Sequence, residues 1–306
     1  MLKTILVPLD GLALADQAVP YATELARASG ARLLLVHAAP GTPSGRADLE
    51  AQARAVLTST AERLRASHLE VDWHVCHQDA ASAIVSLAHR EHVDLIVMAT
   101  HGRSGVAQLL DRSIADEVLR RAEAPILLVS ADSRNAWPTD GPRRIMVTLD
   151  GEEFAEAALE PASGLAKVLG AELLLFCAID SVSSILGTTV DEKVLGALDY
   201  LEQVATELRA QGRAVSTQIG GGHPATAIAA AAHEHGAGIV AMATHARWGL
   251  RRLLLGSVAA GVLPRVMLPL LLTRRQAVDA GQEKQDPAWP SSSGIDARNR
   301  QRLPAS

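Results

Sequence analysis

Apolar residues fall along this chain in two alternating rhythms. The first is a short uninterrupted run: Thr4–Leu9, closed by Asp10-Gly11, has the pattern of a strand buried on both faces. The second is a helical stripe. Between Ala15 and Ser29, the residues Ala18, Val19, Ala22, Leu25 and Ala26 recur at helical spacing and Gly30 supplies a C-cap. Pro20 is expected to kink that helix, because it has no N–H and its ring crowds the preceding turn. The alternation continues with a strand at Arg32–His37, a helix at Asp48–Ala66, a strand at Glu70–Cys76, a helix at Ala81–Glu91 and a strand at Asp94–Ala99. A helix at Ser113–Ala122 and a strand at Pro125–Val129 follow. Further strands are predicted at Arg144–Leu149, Glu172–Ile179, Ala214–Ile219, Gly238–Met242 and Met267–Leu272. Strands and helices in alternation specify an α/β protein, with mostly parallel sheets, right-handed crossovers and ligands at the carboxyl ends of the strands.

The pattern is written twice. Ile5-Leu6-Val7-Pro8-Leu9-Asp10-Gly11 returns as Ile145-Met146-Val147-Thr148-Leu149-Asp150-Gly151. Leu33-Leu34-Leu35-Val36-His37-Ala38 returns as Leu173-Leu174-Leu175-Phe176-Cys177-Ala178, and Met98-Ala99-Thr100-His101-Gly102 as Met242-Ala243-Thr244-His245-Ala246. Each copy is long enough to bury its own core, so the repeat is a duplicated domain and not a solenoid. The boundaries expected are 1–130 for the first domain, 131–142 for a polar linker, 143–275 for the second domain and 276–306 for a tail. Trp137-Pro138 in the linker is expected to dock on one unit. The tail is mixed in charge, rich in Pro and Ser and without periodicity, the composition of a disordered segment.

Composition narrows the function by exclusion. A net charge of −5 argues against a nucleic-acid partner held by phosphate neutralisation, and 4 Trp, 2 Tyr and 2 Phe are too scattered to make a base-stacking platform. Cys76 and Cys177 are the only cysteines, so a disulfide framework is not expected and a reducing compartment is favoured. No run of about 18 apolar residues occurs, and no long apolar stretch follows a basic start. A cytoplasmic protein without a membrane span is expected. His74-Val75-Cys76-His77 holds three potential ligands, but on a strand His77 faces away from His74 and Cys76, and no second cluster at zinc spacing accompanies it. No metal site is expected. None of Lys3, Lys167, Lys193 and Lys284 follows a glycine, which excludes a Gly-x4-Gly-Lys loop, and no Gly-x-Ser-x-Gly elbow occurs. The chain shows no catalytic machinery.

The opening Ile-Leu-Val-Pro-Leu-Asp-Gly, then Asp94-Leu95-Ile96-Val97-Met98-Ala99-Thr100-His101-Gly102-Arg103-Ser104-Gly105, then Ala124-Pro125-Ile126-Leu127-Leu128-Val129, resembles the universal stress protein family. The second copy resembles it through Asp150, His245, Leu255-Gly256-Ser257-Val258 and Pro269-Leu270-Leu271-Leu272. The resemblance implies a tandem member with two Rossmann-like or flavodoxin-like domains, each a mostly parallel five-stranded sheet flanked by helices. It also implies a non-catalytic stress-response protein that binds adenine nucleotide, ATP or AMP with Mg. The rival reading is an interaction or signalling module whose nucleotide pockets are vestigial. An enzyme is the remotest class, since the Ser-Gly-Gly-x-Asp-Ser loop of the ATP pyrophosphatases is absent.

Nucleotide-binding members of the family carry Gly-x2-Gly-x9-Gly-Ser/Thr, in which glycine backbones approach phosphates and a hydroxyl opens a helix. The matching positions are Ala99, Gly102, Arg112 and Ser113 in the first copy, and Ala243, Ala246, Gly256 and Ser257 in the second. Neither motif is complete. Arg112 either blocks the phosphates or adds a cation beside them. On the adenosine side the family's pattern points to Asp10 and Asp150 at the ends of the first strands, and to the backbones of Ala38 and Ala178. Asp-Gly at a strand end is also ordinary turn chemistry, so both readings of Asp10 and Asp150 stand here. His101 and His245 in the phosphate loop are expected to shape the loop or face the phosphates, and not to act as catalysts. The first copy keeps Asp10, Gly102 and Ser113 and is expected to bind more tightly than the second, where Ala246 stiffens the loop. The apolar strands Pro125–Val129 and Pro269–Leu272 would invite association if left bare. They are expected to pair antiparallel, making the monomer an intramolecular pseudo-dimer and leaving open a further homodimer of tandem chains.

Overall fold

In a computed structural model, the residues described are 2–41, 46–100, 114–131, 133, 143–179, 190–244 and 256–274 of the 306-residue chain. The order in the first unit is β1 (Thr4–Pro8), α1 (Ala13–Asp16), α2 (Ala18–Ser29), β2 (Arg32–Ala38), α3 (Arg46–Arg65), β3 (Val71–Cys76), α4 (Ala80–Arg90), β4 (Leu95–Thr100), α5 (Ile114–Arg121) and β5 (Ile126–Ser130). The second unit runs β6 (Arg144–Leu149), a 3-10 turn (Ala155–Ala158), α6 (Leu159–Leu169), β7 (Glu172–Ile179), α7 (Val190–Ala210), β8 (Val215–Gly221), α8 (Pro224–Glu234), β9 (Ile239–Thr244), α9 (Ser257–Val266) and β10 (Leu270–Arg274).

All ten strands join one sheet in the order β3-β2-β1-β4-β5-β10-β9-β6-β7-β8. Pairing is parallel within each unit, and β5 meets β10 antiparallel with Leu270 opposite Leu128, Leu271 opposite Leu127 and Leu272 opposite Ile126. The expected antiparallel seam is therefore present, and it removes two apolar edges from solvent. Leu127 and Leu271 occupy equivalent places in the two copies, so the pseudo-twofold axis passes between them.

Alternation along each strand feeds two cores. On one face Leu33, Leu35, Leu127, Leu173, Leu175 and Leu271 pack under α2, α3, α6 and α7. On the other, Leu34, Val36, Leu128, Leu174, Phe176 and Leu270 pack under α4, α5, α8 and α9. Each core runs through both units without a break at the seam.

The helix expected as one kinked element over Ala15–Ser29 is two helices broken at Gln17. Pro20 cannot donate to the Asp16 carbonyl, and its ring clashes there, so the chain breaks one turn upstream. Pro20 is left in the first turn of α2, where no N–H is needed. Gly30 and Gly170 end α2 and α6 in the left-handed region, as the sequence implied for Gly30.

The start of β1 depends on a side chain that the second unit lacks. Asp94 accepts hydrogen bonds from the backbone N–H groups of Lys3 at 2.7 Å and Thr4 at 2.9 Å, whereas Gly238 stands at the matching place after α8. Asp94→Ala leaves these donors unpaired and is expected to lower stability by about 1–3 kcal/mol. Urea denaturation measures this directly, and an unchanged midpoint would show that water replaces the carboxylate at no cost.

Candidate functional site

The sheet switches direction of winding twice. β1 pairs with β2 on one side and β4 on the other, and β6 pairs with β7 and β9 in the same way. The crevices at the carboxyl ends of those strands are where an open parallel sheet takes ligands.

In the first unit Asp10 follows β1, Ala38 ends β2 and Ala99 lies one residue before the end of β4. In the second, Asp150 follows β6, Ala178 lies near the end of β7 and Ala243 near the end of β9. The register holds these ends level, with Pro8 opposite Val36 and the Leu9 N–H donating to the Val36 carbonyl at 2.8 Å. Topology thus gathers three predicted residues of each copy at one crevice. Gly102, Arg112, Ser113 and Ala246 lie outside the described residues, as do His101, His245, Trp137-Pro138 and the tail.

Asp10 and Asp150 do make the turn that their sequence allowed. Asp10 Oδ1 accepts from the Leu12 N–H at 2.9 Å, and Asp150 Oδ1 from the Glu152 N–H at 3.1 Å. Gly11 and Gly151 follow at φ of 79° and 85°, values that a residue with a Cβ reaches only at a cost. Both carboxylates are exposed, and a turn of this kind does not exhaust their lone pairs.

Gly256 caps α9 at φ 75°, again a conformation suited to glycine, and no side chain caps the N-terminus of that helix. Ser257 opens it and is exposed. The N–H groups of the first turn of α9 therefore point outward as an anion-favouring end beside the second crevice. A cleft of about 200 Å³, lined by Phe176, Gly220, Gly221 and Ala227 among others, lies between the β7–β8 edge of the second unit and α8, with Gly220 paired to Ala178.

The sequence model described as the universal stress protein family matches residues 1–130 and again 141–274. The chain belongs to the universal stress protein family. A Thermus aquaticus relative, the universal stress protein in the QAH/OAS sulfhydrylase 3'region, is 38% identical over 138 residues, which is 42% of this chain and 99% of the relative. A universal stress protein of Mycobacterium bovis is 26% identical over 186 residues, 60% of this chain and 62% of its own. Among solved structures, a universal stress protein from Archaeoglobus fulgidus superposes with a TM-score of 0.70 at 19% identity, covering 90% of this chain and 97% of the other. One from Pseudomonas aeruginosa gives a TM-score of 0.63 at 20% identity, covering 89% and 93%. Both structures support the ten-stranded tandem architecture as a fold.

Within this universal stress protein framework, four residues near the candidate crevices escaped the reading of the sequence. His37 precedes Ala38 on β2, and its Nδ1 is buried without a hydrogen-bond partner. Burial pulls its ionisation downward, partly opposed by the negative charge of Asp10. Cys177 takes the place of His37 in the second unit, and burial pushes its thiol up to about 11, with Asp150 adding to the effect. Tyr200 on α7 donates to Glu156 at 2.9 Å and lies in the field of Asp150 and Cys177. Aligning the two copies would have drawn notice to Cys177 and Tyr200, which stand where the first unit has His37 and Val56, whereas Glu156 matches another carboxylate, Asp16. Among the described residues, no helix is long and apolar enough to cross a membrane, and no three His, Cys, Asp or Glu residues gather as a metal site.

The depressed ionisation of His37 has a defined sign. The unfolded chain takes up this proton first as pH falls, so the contribution of His37 to stability is complete above about 6.5 and is lost as pH drops from there through the folded value. Between pH 7 and 5, urea midpoints are expected to fall less for His37→Gln than for the wild type. Parallel slopes for both proteins would remove His37 from the account.

Proposed function

We propose that the chain is a non-catalytic stress-response protein that binds adenine nucleotide, ATP or AMP, at the switch points of its sheet, more tightly in the first unit. The observation that carries this reading is the convergence of Asp10, Ala38 and Ala99 at the carboxyl ends of β1, β2 and β4. That is where parallel sheets of this winding take ligands, and in the family's nucleotide-binding pattern Asp10 and Ala38 match adenosine contacts while Ala99 matches the first position of the phosphate motif. Two features of the structure fit a bound nucleotide. The orphaned His37 Nδ1 would be satisfied by a polar group of a ligand, and the uncapped α9 behind Gly256 favours an anion in the second unit.

In this reading Asp10 holds the nucleoside and the phosphates lie toward the start of the following helix. The test is calorimetric titration with ATP and magnesium. A hydrogen bond to a charged group contributes about 1.5–3 kcal/mol, so Asp10→Ala is expected to weaken binding roughly 10- to 100-fold. Asp150→Ala should change the measured affinity little, and Ala246→Gly should strengthen the second site by restoring access to φ > 0. Binding lost with Asp150→Ala and kept with Asp10→Ala would reverse the order of the two units. The absence of any heat at millimolar ATP would leave the interaction-module reading, with Arg112 and Ala246 as the substitutions that closed the pockets.

A further inference from the structure

The two crevices differ in what lies over the turn after the first strand of each unit. In the second unit Tyr200 reaches from α7 to Glu156 on the 3-10 turn, and its phenol O–H donates to Glu156 Oε1 at 2.9 Å. The ring packs against the core on that face, and Gly151, in the turn that joins β6 to the 3-10 turn, is buried. In the first unit the same places in the repeat hold Val56 and Asp16. Asp16 is exposed, Gly11 is exposed, and a Cβ built on Gly11 would meet the Val56 Cγ2 methyl at 3.1 Å. The valine touches that turn but has no polar end with which to tie it to the neighbouring helix. Tyr200 does. Cys177, 2% exposed, pairs with Leu149 just before the Asp150 turn and lies in the field of Tyr200, where the first unit has the half-buried His37.

We propose that Tyr200 is a positioning residue: with Glu156 it latches the Asp150 turn onto α7, so the second switch point is held in one geometry while the first is open. The consequence for nucleotide rests on the reading that Asp150 contacts the ligand. The latch itself does not. Asp150 remains exposed while Gly151 beside it is covered, so the latch fixes the carboxylate without burying it. Mild alkali does not release the latch through Tyr200, whose phenol ionises only well above its ordinary range, first because of burial and then because of the bond to Glu156.

Cys177 reports the opening. Its buried thiol is poorly ionised and should react with an alkylating or disulfide reagent only when the Asp150 turn lifts. In a Cys76→Ser background it is the sole thiol. Tyr200→Phe keeps the ring and removes the hydrogen bond, and Glu156→Ala removes the acceptor. Each is expected to speed labelling of Cys177 roughly two- to tenfold, the range set by one net hydrogen bond. Because both delete the same bond, the double variant should label no faster than the faster single one, and Glu156→Gln, which keeps an acceptor oxygen, should label close to the background rate. Labelling unchanged in both single variants, multiplicative effects in the double variant, or a rise equal to the loss of global stability measured in urea would each overturn the latch. With the first site silenced by Asp10→Ala, ATP affinity at the second unit should fall by a similar factor in Tyr200→Phe. A labelling response with unaltered ATP affinity would overturn the positioning role. A labelling response in a second unit that takes no ATP even with the latch intact would sink the nucleotide reading of that unit and leave the latch standing.

Discussion

Leu271→Asp is expected to unfold both halves of the chain together. Leu271 is fully buried opposite Leu127, at the centre of a sheet whose cores continue through the seam. A carboxylate placed there has no hydrogen-bonding partner in an apolar layer, and the cost of several kcal/mol is a large part of the about 5–15 kcal/mol that holds a domain together. Leu271→Ala is the graded form of the same experiment and should cost about 2–5 kcal/mol, according to how far β5 and β10 collapse into the space. Leu127→Ala should cost a similar amount. Since the two side chains face each other, the double variant should depart from additivity by about 0.5–3 kcal/mol. Far-UV circular dichroism in urea gives all four midpoints. Two separated transitions, with the first unit unmoved by Leu271→Asp, would show that the halves are merely tethered.

The strands of the second unit show how far the sequence reaches. Arg144–Leu149 and Glu172–Ile179 fall where the apolar runs place them, because strands buried on both faces leave an unbroken signature. The expected strand at Met267–Leu272 starts instead at Leu270. Met267 sits at φ 49° and closes α9 in the left-handed region, so an apolar run that looks extended is still turning out of a helix. β8 runs on through Gly220 and Gly221, beyond the expected end at Ile219, because its parallel partners Ala178 and Ile179 continue the ladder. Hydrogen bonding across strands decides such ends, and no local propensity contains it.

The candidate site divides along the same line. Asp10, Ala38 and Ala99, with their partners Asp150, Ala178 and Ala243, were legible because the repeat and the family's motif mark strand ends. The orphaned Nδ1 of His37 is a property of what surrounds β2, and a histidine at the end of an apolar strand announces nothing. Tyr200 and Glu156 lie on separate elements, and only the packing of α7 brings them together. Candidates marked by their own position in the chain were readable. Candidates marked only by a contact between elements were not.

A change in one copy that mends a change in the same copy gives the sharpest test of how the repeat diverged. Phe176 and Gly220 stand where the first unit has Val36 and Cys76. A Cβ built on Gly220 would lie 2.6 Å from Phe176 Cζ and 3.0 Å from Cε2, too close for a ring that is 1% exposed and held in the core under α8. Gly220→Cys should therefore cost about 1–3 kcal/mol through overpacking. Phe176→Val empties the ring's space and should cost at least about 2 kcal/mol, toward the range for large aromatic truncations. Together the two substitutions restore the pair that the first unit uses, in which a smaller strand residue admits a larger neighbour. The double variant should be more stable than the sum of the singles predicts by about 0.5–3 kcal/mol. The matching register of β2–β3 and β7–β8 makes this outcome a direct consequence of steric exchange. If the double variant is as unstable as the two penalties added, Gly220 is required by the backbone of β8 and not by the ring of Phe176, and the cleft beside them is not a by-product of that exchange.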